Sequence, residues 1–133
     1  MITILGPTAS GKTALAARLA SAINGEVISA DSRQVYRGMD IGTGKDYADY
    51  IVDGNPVPYH LIDIIDPGYE YNIFEYQKDF LAAYKNICLH KKIPILCGGS
   101  GMYLEAILKG YRLTKAETDE EFLHSLEEKS DDE

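Results

Sequence analysis

Two cysteines, Cys88 and Cys97, are the only thiols in the 133 residues. They are too few and too far apart for a disulfide framework or a metal knuckle, and they read as two buried thiols in a reducing compartment. Long apolar runs are also lacking. None approaches the roughly 20 residues needed to cross a bilayer. No basic stretch precedes the apolar start Met1-Ile2-Thr3-Ile4-Leu5, so a cytoplasmic protein without a secretory leader or membrane partner is expected. No internal repeat occurs. Positive charge is scarce, with 13 Lys and Arg against 21 Asp and Glu and a net charge of −8. That deficit is local. Residues 1–116 carry 12 basic and 12 acidic side chains, whereas residues 117–133 carry one and nine. The acidity therefore does not exclude a nucleic-acid partner for the main body of the chain. What is present is ordinary for one globular domain with one core: 45% hydrophobic and 10% aromatic residues.

The most specific local signal is Gly6-Pro7-Thr8-Ala9-Ser10-Gly11-Lys12-Thr13, a match to G-x-x-x-x-G-K-[ST]. Its glycines let successive N–H groups converge on one anion. Lys12 adds a full positive charge, and Thr13 offers a hydroxyl to Mg²⁺. Ile2-Thr3-Ile4-Leu5 before it reads as a short buried strand. Thr13 to Ala20 after it reads as an amphipathic helix whose positive dipole end faces the same anion. Taken alone, the loop points to a nucleoside triphosphate and a kinase or other NTPase.

Downstream, Glu26 to Ser29 reads as a second strand, entered through Asn24-Gly25. It delivers Asp31 to the carboxyl edge of a parallel sheet, where ligands bind in such sheets. Three readings of Asp31 stay open: a Mg²⁺ contact through water, a proton acceptor, or the cap of a short helix around Arg33 to Tyr36. Residues 38–59 read as a long loop with a helical turn near Tyr47 to Ile51, and loops of that length are usually functional. Arg33, Arg37 and Lys45, interleaved with Gln34, Tyr36 and Thr43, suit phosphates and an unstacked base. Solvated loop charges are the alternative. His60 to Ile64 reads as a further extended segment.

Asn72 and Glu75 spell a capping box for a helix reaching about Lys91, with Phe74, Gln77, Leu81, Phe80, Tyr84 and Ile87 across its apolar face. Pro94 to Cys97 reads as a buried strand. Gly98-Gly99-Ser100-Gly101 then serves either as a close backbone approach to a ligand or as a turn needing positive φ. Met102 to Lys109 reads as a helix stopped by Gly110, and Asp119 to Lys129 as a last amphipathic segment. The order predicts an α/β, three-layer fold like that of P-loop NTPases, with a mostly parallel sheet. Three strong strands are few for such a sheet, which implies an incomplete domain with an open edge prone to self-association.

Four stretches in order resemble the tRNA dimethylallyltransferase (tRNA isopentenyltransferase) family: Gly6 to Thr13; Ser29 to Thr43; Pro58-Tyr59-His60-Leu61-Ile62-Asp63; and Pro94 to Leu104. The resemblance implies transfer of a dimethylallyl group from dimethylallyl diphosphate to N6 of adenine 37 in a tRNA anticodon stem-loop. The anion in the loop then becomes a prenyl diphosphate, with Mg²⁺ as cofactor. It also implies roles for residues: Asp31 as general base, Thr8 and Thr13 near the diphosphate and the metal, and Asp31, Ser32, Arg33 and Gln34 against the extruded adenine. Ser100 matches a tRNA-contacting position that is usually Thr. The chain departs from the family where Gly-Thr-Ala-Lys-Pro becomes Gly42-Thr43-Gly44-Lys45-Asp46 and Pro-His-His-Leu becomes Pro58-Tyr59-His60-Leu61. Residues 1–113 correspond to the P-loop core, and 114–133 to the start of a helical tRNA-binding insertion. With less than half the usual length, a truncated, inactive phosphate-binding fragment is one alternative, and a cytokinin-type adenylate isopentenyltransferase is another.

Overall fold

The computed structural model describes residues 1–110. The segment Asp119 to Lys129 and the proposed insertion start at 114–133 lie outside the described residues. Strand β1 is Ile2–Leu5, followed by helix α1, Lys12–Ile23, and strand β2, Gly25–Ala30. A 3₁₀ turn, Tyr47–Tyr50, leads into two short strands, β3 (Ile51–Val52) and β4 (Asn55–Pro56), and then β5 (Tyr59–His60). Helix α2, Ile73–Leu89, strand β6, Ile93–Gly98, and helix α3, Gly101–Leu108, complete the described part.

The main sheet is fully parallel, in the order β1-β6-β2-β5. Two crossovers produce this order. The α1 connection carries the chain from β1 past one strand position to β2, and α2 brings β6 back into the gap. The loops after β1, β2 and β6 therefore all emerge at one carboxyl edge. Side-chain alternation along the strands builds two cores. Val27, Ile95 and Cys97 face α1 with Ala16, Ala17 and Ala20. Ile28, Ala30 and Leu96 face α2 and α3 with Tyr76, Phe80, Ile87, Tyr103 and Leu104. Burying each large apolar side chain contributes about 1.5–3 kcal/mol.

Several expectations are corrected here. The first strand is not buried: β1 lies at the sheet edge, and Leu5 is 55% exposed. A fourth strand, β5, joins the three expected, but it is only two residues long. The extended reading of His60 to Ile64 fails after His60, because Leu61 (φ 64°) and Asp63 (φ 55°) turn the chain through the left-handed region. Part of the long loop is a hairpin. Asp53 (φ 51°) and Gly54 (φ 77°) form the two-residue turn between β3 and β4, with the left-handed pair that a right-twisted hairpin favours.

Helix α2 carries the expected capping box, with Glu75 N–H donating to Asn72 Oδ1 at 2.9 Å and Asn72 N–H to Glu75 Oε2 at 3.1 Å. It stops at Leu89, because Lys91 turns left-handed and Lys91 and Lys92 N–H return to the Cys88 and Ile87 carbonyls. Its buried face is Tyr76, Phe80 and Ile87, and Leu81 is exposed. The exposed Cys88 corrects the expectation of two buried thiols; Cys97 alone is buried.

Candidate active site

The Gly6 to Thr13 loop joins β1 to α1. Ala9 (φ 61°) and Gly11 (φ 79°) curl it, and Gly11 stands at the N-cap without a side-chain acceptor. The first N–H groups of α1 therefore face outward, as an anion requires. Ser10 Oγ donates to the Pro7 carbonyl at 2.7 Å, and Lys12 Nζ donates to the same oxygen at 3.0 Å. The loop is thus pre-curled, and the ammonium is held on its rim.

Across the edge, Asp31 directly follows β2, which lies one strand position from β1, beyond β6. Residues 32–35 form turns rather than the anticipated short helix. Asp31 Oδ1 accepts the Arg33 N–H at 2.9 Å and lies 3.5 Å from Arg33 Nε. Only one of its oxygens is engaged in these contacts. Gln34 acts as a strut. Its Oε1 accepts from Ser29 Oγ at 3.0 Å, while its Nε2 donates to the Thr43 and Gly44 carbonyls at 3.3 and 3.2 Å.

Between the two sides lies the loop after β6. The glycines of Gly98-Gly99-Ser100-Gly101 do not have positive φ, which corrects the turn reading, and their close approaches are to the chain's own backbone. A Cβ on Gly98 would drive into the Ala30 carbonyl, and one on Gly99 would come within 3.2 Å of the Gly6 carbonyl oxygen. Ser100 Oγ accepts the Ser32 N–H at 2.9 Å.

A cleft of about 240 Å³ opens between these loops. The fold brings Thr8, Ala9, Ser10, Gly11, Lys12 and Thr13 together there with Asp31 and Gln34. Gly6, Pro7, Ser32, Arg33 and Ser100 do not line it; they brace the loops that do. Thr43 and Gly98, from runs read as candidate ligand contacts, also line it, and Gly44, Asp46, Asp49, Tyr50 and Cys97 line it without having been picked out as site residues. Thr43 and Gly44 fall in the Gly-rich run already noted. Cys97 and Tyr50 give no local sign, because only packing brings them under the phosphate loop.

Electrostatics separate the two walls. Burial pushes the Cys97 thiol up to about 11, against the lowering effect of Lys12, so the floor stays uncharged. Burial, with Asp46 nearby, raises the Asp49 carboxyl above its ordinary value. Tyr103, beneath the Asp31 turn, is raised to about 12 by burial and then by Tyr36 and Asp31. For Mg²⁺, the Thr13 hydroxyl and the Asp31 and Asp49 carboxylates are hard oxygen donors sharing one cleft. No group of three His, Cys, Asp or Glu among the described residues forms a protein cage. That donor set fits Mg²⁺, which keeps waters and shares substrate phosphates.

Two basic residues read as phosphate contacts are committed elsewhere. Arg37 donates to the Asp63 and Ile64 carbonyls and to Asp66 at 2.9 Å. Lys45 is buried against Asp63, Asp40 and the Tyr36 carbonyl. Arg33 remains half exposed beside Asp31.

The fold and cleft define an α/β protein with a curled G-x-x-x-x-G-K-T loop at the carboxyl edge of a parallel sheet. A family described as IPP transferase matches residues 34–133, and one described as isopentenyl transferase matches residues 1–57, so the chain belongs to the IPP transferase family. It is 62% identical over 130 residues to tRNA dimethylallyltransferase 2 of Bacteroides fragilis, covering 98% of this chain and 42% of that protein. The full-length tRNA isopentenylpyrophosphate transferase of Bacillus halodurans has a similar structure, with TM-score 0.79 and 41% identity over 99% of this chain and 43% of that one. A eukaryotic dimethylallyltransferase solved acting on tRNA matches at TM-score 0.64 and 31% identity, over 86% of this chain and 30% of that one. The chain spans about two fifths of the length of the curated relatives it matches. No helix among the described residues is long and apolar enough to cross a membrane.

Proposed function

We propose that this chain is the catalytic segment of a cytoplasmic tRNA prenyltransferase, which moves a dimethylallyl group from dimethylallyl diphosphate to N6 of adenine 37 in a tRNA anticodon stem-loop. The observation that carries this reading is the single cleft in which the phosphate loop faces Asp31 and Gln34. Any transfer from a phosphorylated donor needs the first wall, a kinase included, and the match to the IPP transferase family favours alkyl over phosphoryl transfer. An alkyl transfer to a base needs a second wall that receives the acceptor and its proton.

In this reading the α1 N-terminus and Lys12 hold the diphosphate, and Lys12 swings from the Pro7 carbonyl onto it. The bond between the allylic carbon and the diphosphate oxygen breaks, and the electron pair leaves with the diphosphate. Fixed N–H groups and the Lys12 charge stabilise that developing charge. The adenine N6 forms the new C–N bond, and its proton passes to the Asp31 carboxylate. Mg²⁺, held by Thr13 and by Asp31 through water, would supply charge neutralisation on the diphosphate. Ser32, Arg33, Gln34 and Ser100 shape the acceptor wall, in which an extruded base is read by its edge. Residues 1–113 act as the core, and 114–133 begin the RNA-gripping insertion.

The test is direct. The chain, tested alone and joined to the remaining part of the Bacteroides fragilis relative, gains one dimethylallyl group on the RNA when given dimethylallyl diphosphate, Mg²⁺ and a stem-loop with adenine at position 37. Transfer to AMP but not to RNA would instead establish the adenylate-acceptor reading. ATP consumption without prenyl donor would establish a kinase. The exposed β1 edge also favours a second reading for the isolated chain, an inactive phosphate-binding piece that self-associates. Light scattering that shows a monomer with prenyl transfer excludes it.

A further inference from the structure

We infer that Asp63, a residue outside the cleft, is the positioning residue of the acceptor wall. The inference rests on the functional reading above. Asp63 is a hub joining three segments. Its N–H donates to the Gln34 carbonyl at 3.0 Å. Its own carbonyl accepts Arg37 Nε at 3.1 Å. Its carboxylate accepts Lys45 Nζ at 2.5 Å and the Tyr47 hydroxyl.

These contacts close a ring. Asp63 holds the Gln34 backbone and the Lys45 ammonium, while the Gln34 side chain holds the carbonyls of Thr43 and Gly44, next to Lys45. Gln34, Thr43 and Gly44 line the cleft; Asp63 does not. The ring therefore fixes two stretches of the acceptor wall from behind.

The energetics make the ring directional. The Lys45 side chain is 0% exposed, and a buried ammonium is costly unless it is paired. It finds oxygens only when residues 36–45 fold back, so that Tyr36, Asp40 and Asp63 converge on it. Asp63 also holds φ at 55°, a conformation that Asp and Asn tolerate better than most residues. Burial raises the Asp63 carboxyl, but Lys45 and Tyr47 outweigh burial and leave it below the usual carboxylate range, which keeps the anion in place. None of the ring's contacts reaches Gly6 to Thr13. The ring thus braces the acceptor wall without holding the phosphate-binding stretch itself.

The experiment uses whichever form, the chain alone or the chain joined to the remaining part of the Bacteroides fragilis relative, prenylates RNA. Asp63→Asn keeps the left-handed backbone and removes the charge. The expected result is a loss of about tenfold or more in kcat/KM for the stem-loop, with dimethylallyl diphosphate affinity, read by calorimetry in Mg²⁺, within about twofold of wild type. Amide exchange speeds up in residues 31–46 and not in residues 6–20. If Asp63→Asn folds poorly, Tyr47→Phe carries the test: it removes one hydroxyl, leaves the ion pair, and lowers kcat/KM for RNA by about threefold or more at unchanged donor affinity. Unchanged RNA kinetics in a variant of an active enzyme overturn the inference alone. Equal losses for donor and acceptor, with exchange accelerated uniformly, also overturn it, because they mark a merely structural role. A wild-type protein that prenylates no RNA overturns the functional reading, and this inference with it.

Discussion

Ser100 Oγ accepts the backbone N–H of Ser32 at 2.9 Å, joining residues 68 positions apart. This bond ties the loop after β6 to the turn after β2, so the acceptor wall cannot drift away from the glycine loop. Ser100→Ala removes it at a cost of about 0.5–1.5 kcal/mol. The expected result is a correspondingly lower melting temperature and a loss of about two- to tenfold in RNA turnover, with donor affinity unchanged. Ser100→Thr keeps the hydroxyl and restores both. Thermal melts paired with single-turnover kinetics separate these outcomes.

Lys12 rests on the Pro7 carbonyl at 3.0 Å, and no carboxylate among the described residues forms an ion pair with it. Its charge is thus available to an incoming anion. Lys12→Ala weakens dimethylallyl diphosphate binding by about 100-fold, since a charged hydrogen bond contributes up to about 3 kcal/mol. Calorimetry that finds wild-type affinity would remove the loop from the diphosphate site.

Asp31→Asn keeps an oxygen for the Arg33 N–H, now accepted at 2.9 Å, but it cannot take a proton. If Asp31 is the base, the chemical step slows by about 10²- to 10⁴-fold while donor and RNA affinities stay near wild type. If Asp31 only shapes the turn, turnover persists. Rapid-quench measurement of the first turnover distinguishes the two.

Acid should loosen the sheet from the end opposite the cleft and from the acceptor wall together. Glu26 accepts Lys92 Nζ at 2.7 Å and lies 2.6 Å from His60 Nε2. Burial pulls its carboxyl up, but the hydrogen bonds and charges of Lys92 and His60 outweigh burial and leave it below its ordinary 4.5. Asp63 is likewise held below its ordinary 3.8. A lowered folded value means that the unfolded chain binds protons first as pH falls. The stabilisation is complete above the ordinary values and drains away as pH drops through and below them. Thermal melts should be flat in this respect near neutrality and fall below the ordinary Glu26 value of 4.5, with Glu26→Gln and Asp63→Asn each flattening the acid limb. An acid limb unchanged in both variants would place the sensitivity elsewhere.

Local chemistry made much of this molecule legible in its sequence. The phosphate loop, the capping box at Asn72 and Glu75, and the stop at Gly110 each depend on a few neighbouring residues, and each appears where the pattern puts it. The Asp53-Gly54 hairpin was equally local and went unread inside a loop rich in Gly and Asp, although an Asp-Gly pair is a strong turn signal. The stop of α2 at Leu89 had no such sign, because the left-handed residue that follows it is Lys91 and not a glycine.

The sequence by itself determined the donor wall, since a curled glycine loop with Lys12 and Thr13 needs only its own backbone and one helix end. The acceptor wall was decided by tertiary structure. Whether Arg37 and Lys45 meet a ligand or an aspartate depends on residues some twenty to thirty positions away, brought near by a left-handed turn at Asp63. Strand order was decided there too: β6 lies between β1 and β2, and Gly98, at the end of its register with β2, leaves room for the Ala30 carbonyl. Such choices rest on long-range packing and on the cost of burying an unpaired charge, and neither is carried by any short stretch of sequence.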